Sequence, residues 1–404
     1  MKILLVNDYG TLSGGAETIV LSLREELRRR GHDARLFTST AATAGLPNLA
    51  DATGHGTSGA LRTPLQVANP WAARALRQTL ADFRPDVVHV NLYLTQLSPL
   101  ILPAIRGIPS VYYAQWYRAI CPVGTRRRPD GQRCHAAVGT ACLRAGCLSA
   151  RAWPLHMLQA RADRAWGGAF HRVTAISRAV AESLEAHGAP HLRGATVVHP
   201  GTGVVEPRQR FATEPTIVAA GRLVPEKGID VLLRAFREIV ARIPAARLVI
   251  AGDGPEGESL RRLAIDLGIA SRVSFRGYLS RADVREAMRA AWVCCVPSVW
   301  AEPFGLVAAE AQMEGVPVVA SRTGGLAEIV RDGVTGRLVE PGDVNGLAAA
   351  IHAIIGNRTT VDAMGRAAHA DARARFDLPG FCTRFETIYG EIAAMAATSS
   401  PSST

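Results

Sequence analysis

The sequence predicts an α/β protein built from two doubly wound parallel sheets. Three observations carry this prediction. Short apolar runs of strand length alternate with amphipathic helical stretches along most of the chain. The 404 residues exceed what one ordinary core organises. A Gly- and Pro-rich stretch, "HPGTGVVEPRQR" (199–210), divides the alternation in two.

"MKILLVNDYG" reads as a strand ending in a polar turn. "SGGAETIVLSLREELRRRG" follows as a helix whose apolar face is Ile19, Val20, Leu23 and Leu27, with Gly31 as its stop. "HDARLFT" is the next strand, which makes a strand–helix–strand unit. Residues 40–70, rich in Gly, Ala and Thr without a period, read as a mobile loop. "RPDVVHVN", "PSVYYAQW", "HRVTAIS" and "ATVVHPG" are further strands of the first half. The second half runs "PTIVAAG", helix 228–241, "ARLVIAG", helix 256–267, "RVSFRG", helix 281–291, "WVCCVPS", helix 304–314 and "PVVAS". The expected domains are 1–200, a linker 201–210 and 211–377, then a helix 378–396 and a disordered tail 397–404.

A net charge of +11 favours anionic company: a nucleotide phosphate, an anionic membrane face or nucleic acid. The arginines are dispersed and not interleaved with aromatics, which speaks against nucleic acid. No apolar run reaches membrane-spanning length and the first residues lack a secretory signal, so the expected location is cytoplasmic, with peripheral contact at the inner membrane face left open. Cys294, Cys295 and Cys382 sit in apolar or helical contexts as small core residues.

Ligands of open parallel sheets bind beyond the carboxyl ends of the strands. After the first strand of the second half comes "AAGRLVPEKG", with Arg222 and Lys227 on one glycine-bounded loop. Two cations there suit a diphosphate. "WAEPFGLVAAEAQ" places Glu302 before a helix start and Glu310 inside that helix, with the free amides of Gly305, Leu306 and Val307 between them. A diphosphate seated on those amides would have a hydroxyl-rich group near each carboxylate, the shape of a sugar nucleotide. "AGDGPEGESL" has glycines 252, 254 and 257 in dinucleotide-binding spacing, but the next strand ends in Arg276 and Gly277 without the acid a ribose needs, so NAD binding is rejected.

With these motifs, "SGGAE", "GRLVPEKG", "VIAGDGP", "EPFGLVAAEA" and "GVPVVASRTGGLAEIVRDGVTGRLVEPGD", the chain resembles the family-4 retaining glycosyltransferases of the GT-B fold. The resemblance implies two Rossmann-like domains around a cleft and a final helix that crosses back to the first domain. It also implies a nucleotide-diphosphate sugar donor and transfer to an acceptor hydroxyl (saccharide, lipid-linked or small molecule) in carbohydrate or glycoconjugate biosynthesis, with no metal required. Carried over by motif, Arg222 and Lys227 hold the diphosphate, and Glu302 contacts the donor sugar. Glu310 takes the ribose, the amides of Gly305 and Leu306 meet the distal phosphate, and Gly15 (after Gly14) lets the first-domain loop approach. The backbone near Tyr278 meets the base.

The chain departs from the family pattern in two places. Gln115 and Trp116 stand where members often carry His-Asp, and Gln115 keeps a sugar contact possible. His89 and Asn91 end a strand and, with Gly14 and Gln115, are candidates for the acceptor or sugar pocket. The segment 121–147 resembles an insert of some members. Its Cys121, Cys134, Cys142 and Cys147, with His135, leave three readings open: a structural zinc, separate thiols, or a disulfide in an exported protein. Arg126, Arg127, Arg128 and Arg133 make that insert a candidate basic patch, with a solvated loop favoured. The competing functions are a phosphorylase or epimerase on the same fold, and a non-catalytic nucleotide-sugar-binding partner. The base, sugar and acceptor are not set by the sequence.

Overall fold

The computed structural model describes residues 1–12, 14–41 and 45–399. The chain divides into two compact units, Met1–Gly201 with Leu378–Thr404, and Thr202–Asp377.

The first unit carries a seven-stranded parallel sheet: β1 (Lys2–Val6), β2 (Asp33–Ser39), β3 (Ala52–Gly54), β4 (Val87–Val90), β5 (Ser110–Ala114), β6 (Arg172–Ala175) and β7 (Thr196–Val197). Its order is 3-2-1-4-5-6-7, so the winding reverses between β1 and β4, where Val6 pairs with Val90. Loops that leave neighbouring strands in opposite directions open a crevice at such a point. The expected apolar face of helix Gly15–Arg29 is buried at Ile19, Val20, Leu23 and Leu27, and Gly31 follows it at φ 87°.

Residues 40–70 correct the sequence reading of a mobile loop. Ala52–Gly54 pairs in parallel with Phe37–Ser39, and Arg62–Val67 is a helix. Three residues are too short to show a period, so the strand has no alternation to read. Gly54 fits because a Cβ there would lie 2.8 Å from Ala72 Cα. Residues 42–44, also in that stretch, lie outside the described residues.

The final helix, Leu378–Ser399, belongs to the first unit. Phe381, Phe385, Tyr389 and Ile392 recur on one face and are fully buried, each contributing about 1.5–3 kcal/mol by burial. The side chain of Arg30, just past the first helix, donates to Glu386 Oε2 (2.6 Å) and to the Pro379 carbonyl (2.6 Å). His32 Nε2 lies 2.9 Å from Glu386 Oε1. The helix continues through residues 397–399; the rest of the expected tail, 400–404, lies outside the described residues.

The second unit carries six parallel strands: β8 (Thr216–Ala220), β9 (Arg247–Ala251), β10 (Val273–Phe275), β11 (Val293–Val296), β12 (Val318–Ser321) and β13 (Gly336–Val339). Their order, 10-9-8-11-12-13, repeats the 3-2-1-4-5-6 winding with the reversal between β8 and β11. Helix Ile229–Arg242 buries Ile229, Leu232, Leu233, Phe236 and Ile239 against this sheet, a spacing of three and four.

The glycines of "AGDGPEG" have a packing role. A Cβ on Gly252 would lie 1.9 Å from the Gly221 carbonyl oxygen, and one on Gly254 would lie 2.3 Å from that of Leu223. Gly252 also holds φ 145°. The two loops therefore touch backbone to backbone, through Leu223 N to Asp253 O (2.9 Å) and Glu256 N to Leu223 O (3.1 Å). Gly252→Ala is expected to destabilise the protein by about 3 kcal/mol or more in denaturant unfolding, whether or not nucleotide is present.

Candidate functional site

In the second unit, the loop after β8 and the segment after β11 are joined at three points. Gly228, at φ 64°, lies so close to β11's end that a Cβ would sit 2.2 Å from the Pro297 carbonyl oxygen. Val299 N donates to Glu226 O (2.9 Å). Lys227 Nζ bonds both oxygens of Glu302 at 2.8 Å.

Glu302 is 8% exposed. Besides Lys227 it accepts from Ser298 Oγ (2.9 Å) and Trp300 Nε1 (3.0 Å). Lys227 Nζ also lies 5.9 Å from the Trp300 ring centroid. Behind the acid, Gly324 at φ 53° makes room for its main chain: a Cβ there would lie 2.1 Å from the Glu302 carbonyl oxygen, which accepts from Gly325 N (2.8 Å). The carboxylate is thus held in one pose by a cation, a hydroxyl and an indole. Arg222, on the same loop as Lys227, is exposed and makes no ion pair among the described residues.

The helix begins at Leu306, two residues later than the sequence suggested, because Gly305 takes φ 104° as its N-cap. Leu306 and Val307 are first-turn residues whose amides have no carbonyl within the helix to meet. With Gly305 they are buried or half-buried around a positive helix end.

Glu310, within the same helix, is not free: Arg281 Nη2 donates to it at 3.3 Å. Burial pushes its carboxyl up from the ordinary value, against the opposing Arg281 guanidinium. A raised acid favours folding in its protonated form, so its contribution is present below the unfolded pKa and is lost as pH rises through the folded one. Glu310→Gln is therefore expected to leave stability at pH 7 unchanged or higher. It should weaken nucleoside diphosphate binding about 10- to 100-fold, the worth of hydrogen bonds to a charged acceptor, as calorimetric titration would show. Tyr278, after β10, is 67% exposed and follows Gly277 at φ 65°.

In the first unit, Gly14 is the N-cap of helix Gly15–Arg29 and Gly15 its first residue; Ser13 of the "SGGAE" motif lies outside the described residues. A Cβ on Gly14 would lie 2.9 Å from Glu17 Oε2. Glu17 is buried, and burial, aided by nearby Asp8, pushes its carboxyl up to about 7.

Asn91 and Gln115 come together: Gln115 Nε2 donates to Asn91 Oδ1 at 2.7 Å, and the buried Gln115 Oε1 has no partner among the described residues. His89 is a correction. It is fully buried, with Nδ1 2.5 Å from Tyr389 Oη and its ring against Phe385 (centroids 4.5 Å apart). Burial lowers its pKa to about 3, so it is a neutral residue anchoring the final helix and is not available to an acceptor. The physical reason is alternation: along β4 its side chain turns into the layer that the final helix covers.

Cys121, Cys134, Cys142 and Cys147 are free thiols around one cavity of about 30 Å³. Burial and the neighbouring thiols push Cys142 and Cys147 up. Among the described residues no three His, Cys, Asp or Glu side chains are grouped to hold a metal ion. Of the three readings left open for these cysteines, this arrangement lends the zinc one no support. Two of the insert's arginines differ from a solvated patch, while Arg133 is exposed. Arg126 is buried and donates to Ala136 O (2.8 Å), and Arg127 Nε donates to Gly131 O (3.1 Å).

Asp8, just past β1, was missed in the sequence. Its Oδ1 accepts from Gln96 N (2.8 Å) and Leu97 N (2.9 Å), and its Oδ2 from Thr95 N (2.9 Å) and Thr95 Oγ1 (2.7 Å). An acid at the carboxyl end of the first strand was the available signal. Among the described residues, no helix is long and apolar enough to cross a membrane.

Comparison with known proteins agrees with this geometry. Residues 13–203 match the family model described as Glycosyltransferase Family 4, and residues 205–371 that described as Glycosyl transferases group 1. A D-inositol 3-phosphate glycosyltransferase of Mycobacterium marinum is 42% identical over 186 residues, 42% of this chain and 38% of that protein. One from Mycobacterium bovis is 40% identical over 208 residues, 46% of this chain and 42% of that protein. The match thus spans about two-fifths of the length of these curated relatives. In fold, the chain is similar to sucrose-phosphate synthase from Thermosynechococcus elongatus (TM-score 0.73, 23% identity, 98% of this chain and 100% of that one). It is also similar to Anabaena HepE in complex with UDP-glucose (TM-score 0.66, 23% identity, 98% and 100%). Two reversed parallel sheets and the motif order across both units make one assignment: the chain belongs to the family-4 glycosyltransferases of the GT-B fold.

Proposed function

We propose that the protein is a retaining glycosyltransferase that moves a sugar from a nucleotide-diphosphate sugar to an acceptor hydroxyl without a catalytic metal. The observation that carries this reading is the clamp of Lys227 on Glu302 beside the amino end of helix Leu306–Met313, with Arg222 unpaired on the same loop.

The donor diphosphate sits against Arg222, Lys227 and the amides of Gly305, Leu306 and Val307. Glu310 takes the ribose hydroxyls, and the backbone near Tyr278 meets the base. As the anomeric C–O bond to the diphosphate breaks, negative charge grows on the leaving oxygen, and the two cations and the helix end stabilise it. The acceptor oxygen bonds to the anomeric carbon on the same face, and its proton passes to the departing diphosphate. Glu302 orients the donor sugar. Three donors already occupy its carboxylate, which leaves it poorly suited to act as a nucleophile. On the first unit, Gly14 and Gly15 leave their loop without side chains, and Asn91 with Gln115 offers the acceptor side an unused carbonyl oxygen.

The membrane contact suggested by net charge rests on charge alone, and this reading does not need it. The test is a donor panel with UDP-, GDP- and ADP-sugars in the presence of EDTA, starting from UDP-glucose, the ligand of the HepE complex. One donor should be consumed, with release of its nucleoside diphosphate and retention at the anomeric carbon by NMR. Sugar phosphate formation from free phosphate with no nucleotide needed would establish the phosphorylase instead.

A further inference from the structure

Arg118 stands in the turn Arg118–Ile120 just after β5, at the ligand-binding end of the first sheet. Among the described residues its side chain makes one hydrogen bond, to a neutral group: Nη2 donates to Gln66 Oε1 at 2.9 Å. Its Nε is buried without a partner, and no carboxylate lies within ion-pair distance of it among the described residues. Burial pulls the guanidinium down to about 10, with Asp8, Cys121 and Tyr9 opposing and Arg62 adding to the effect. Asp8 cannot serve as its partner, because both its oxygens are filled by Thr95, Gln96 and Leu97.

A second nitrogen shares this deficit. His156, on helix Trp153–Trp166, is buried with Nδ1 unpartnered, and the charge of Arg118 helps lower its pKa. The surroundings are fixed: Gln159 Nε2 on the same helix bonds the carbonyls of Gln66 and Leu94 (2.8 Å to the latter). Helix Arg62–Val67, helix Trp153–Trp166 and the loop after β4 are thereby tied together around the arginine. Arg62 stands exposed at the start of the first of these helices.

Half-burying a cation whose one bonded partner is neutral is costly, and a buried Nε left unsatisfied adds to that cost. Such a group persists where a ligand completes it. A neutral sugar hydroxyl would leave the charge uncompensated. A phosphoryl group would compensate it, since the guanidinium fork bonds two of its oxygens while an imidazole N–H meets a third.

We propose that Arg118, with His156 beside it and Arg62 at the rim, binds a phosphoryl group of the acceptor, so that this enzyme glycosylates a phosphorylated molecule. This deepens the reading of the first unit as the acceptor side and rests on it.

Inorganic phosphate is the probe, titrated by calorimetry into the wild type, Arg118→Gln, Arg118→Lys and, separately, Lys227→Ala. Arg118→Gln should lose one phosphate equivalent or weaken it at least tenfold. Arg118→Lys, a point charge without the fork, should weaken it several-fold. Without phosphate, Arg118→Gln should melt no lower than the wild type, because a half-buried charge with no opposite charge beside it has been removed. Wild-type and Arg118→Gln isotherms that superimpose would overturn the proposal; should Arg118→Gln fail to fold, an Arg118→Lys isotherm equal to the wild type would do so. Failure of the donor reading would show elsewhere, as unchanged nucleoside diphosphate binding by Lys227→Ala. Sedimentation with phosphatidylcholine vesicles, with and without phosphatidylglycerol, separates the sources. Arg118-dependent sedimentation with the anionic vesicles assigns the phosphoryl group to a lipid headgroup, and phosphate binding without it assigns a water-soluble acceptor.

Discussion

Lys227→Ala is expected to lower turnover about 10²- to 10³-fold, the usual loss when one donor to a developing oxyanion is removed. The same change strands Glu302, which keeps Ser298 and Trp300 but loses both contacts at 2.8 Å. Leaving that buried carboxylate short of its cation costs about 1–3 kcal/mol. The two effects separate in a double-mutant cycle. Adding Glu302→Gln removes the stranded charge, so urea unfolding should recover part of the stability while turnover stays low. If the double variant recovered turnover together with stability, Lys227 would be a structural partner of Glu302 and no part of the donor site. If Lys227→Ala alone turned over normally, both assignments would fall.

Asp8→Asn should produce the second large effect. The carboxylate receives four hydrogen bonds, two on each oxygen, from Thr95, Gln96 and Leu97. An amide keeps one oxygen and turns an NH2 toward donors that the other oxygen had satisfied. Two unsatisfied donors in a buried setting cost about 2–6 kcal/mol together. The expected outcome is faster hydrogen exchange across residues 92–98, loss of transfer, and donor binding by the second unit unchanged. The proposed reading puts the donor site on the second unit and the acceptor loop on the first, so transfer should fail while nucleoside diphosphate still binds. Loss of nucleotide binding in Asp8→Asn would contradict that division.

The parts of the proposed donor side can be read in the sequence because they are local. A Gly-bounded loop with two cations, and an acid before a helix start, are both visible within ten-residue windows. The structure adds that Lys227 and Glu302 are partners 75 positions apart. It also adds that Gly305, not Phe304, is the hinge into the helix, through its φ of 104°. The proposed acceptor side is far less legible. Asp8 acts on residues 87 to 89 positions away. Arg118 depends on Gln66, 52 positions earlier, and on neighbours that only the packing brings near. His89 was misread for the same reason. A strand-end histidine is a candidate for the acceptor pocket in the sequence, but its partner Tyr389 is 300 positions on, in a helix whose docking site a single strand cannot reveal. The insert's arginines were read by charge alone, yet two of them spend their donors on its own carbonyls.

A crystal structure with the nucleoside diphosphate of the preferred donor tests the central claim most directly. The account predicts diphosphate oxygens within about 3.2 Å of Lys227 Nζ and of the Gly305 or Leu306 amide, with Arg222 drawn onto the ligand. A diphosphate bound elsewhere, with Lys227 still clamped on Glu302 and Arg222 in solvent, would contradict it.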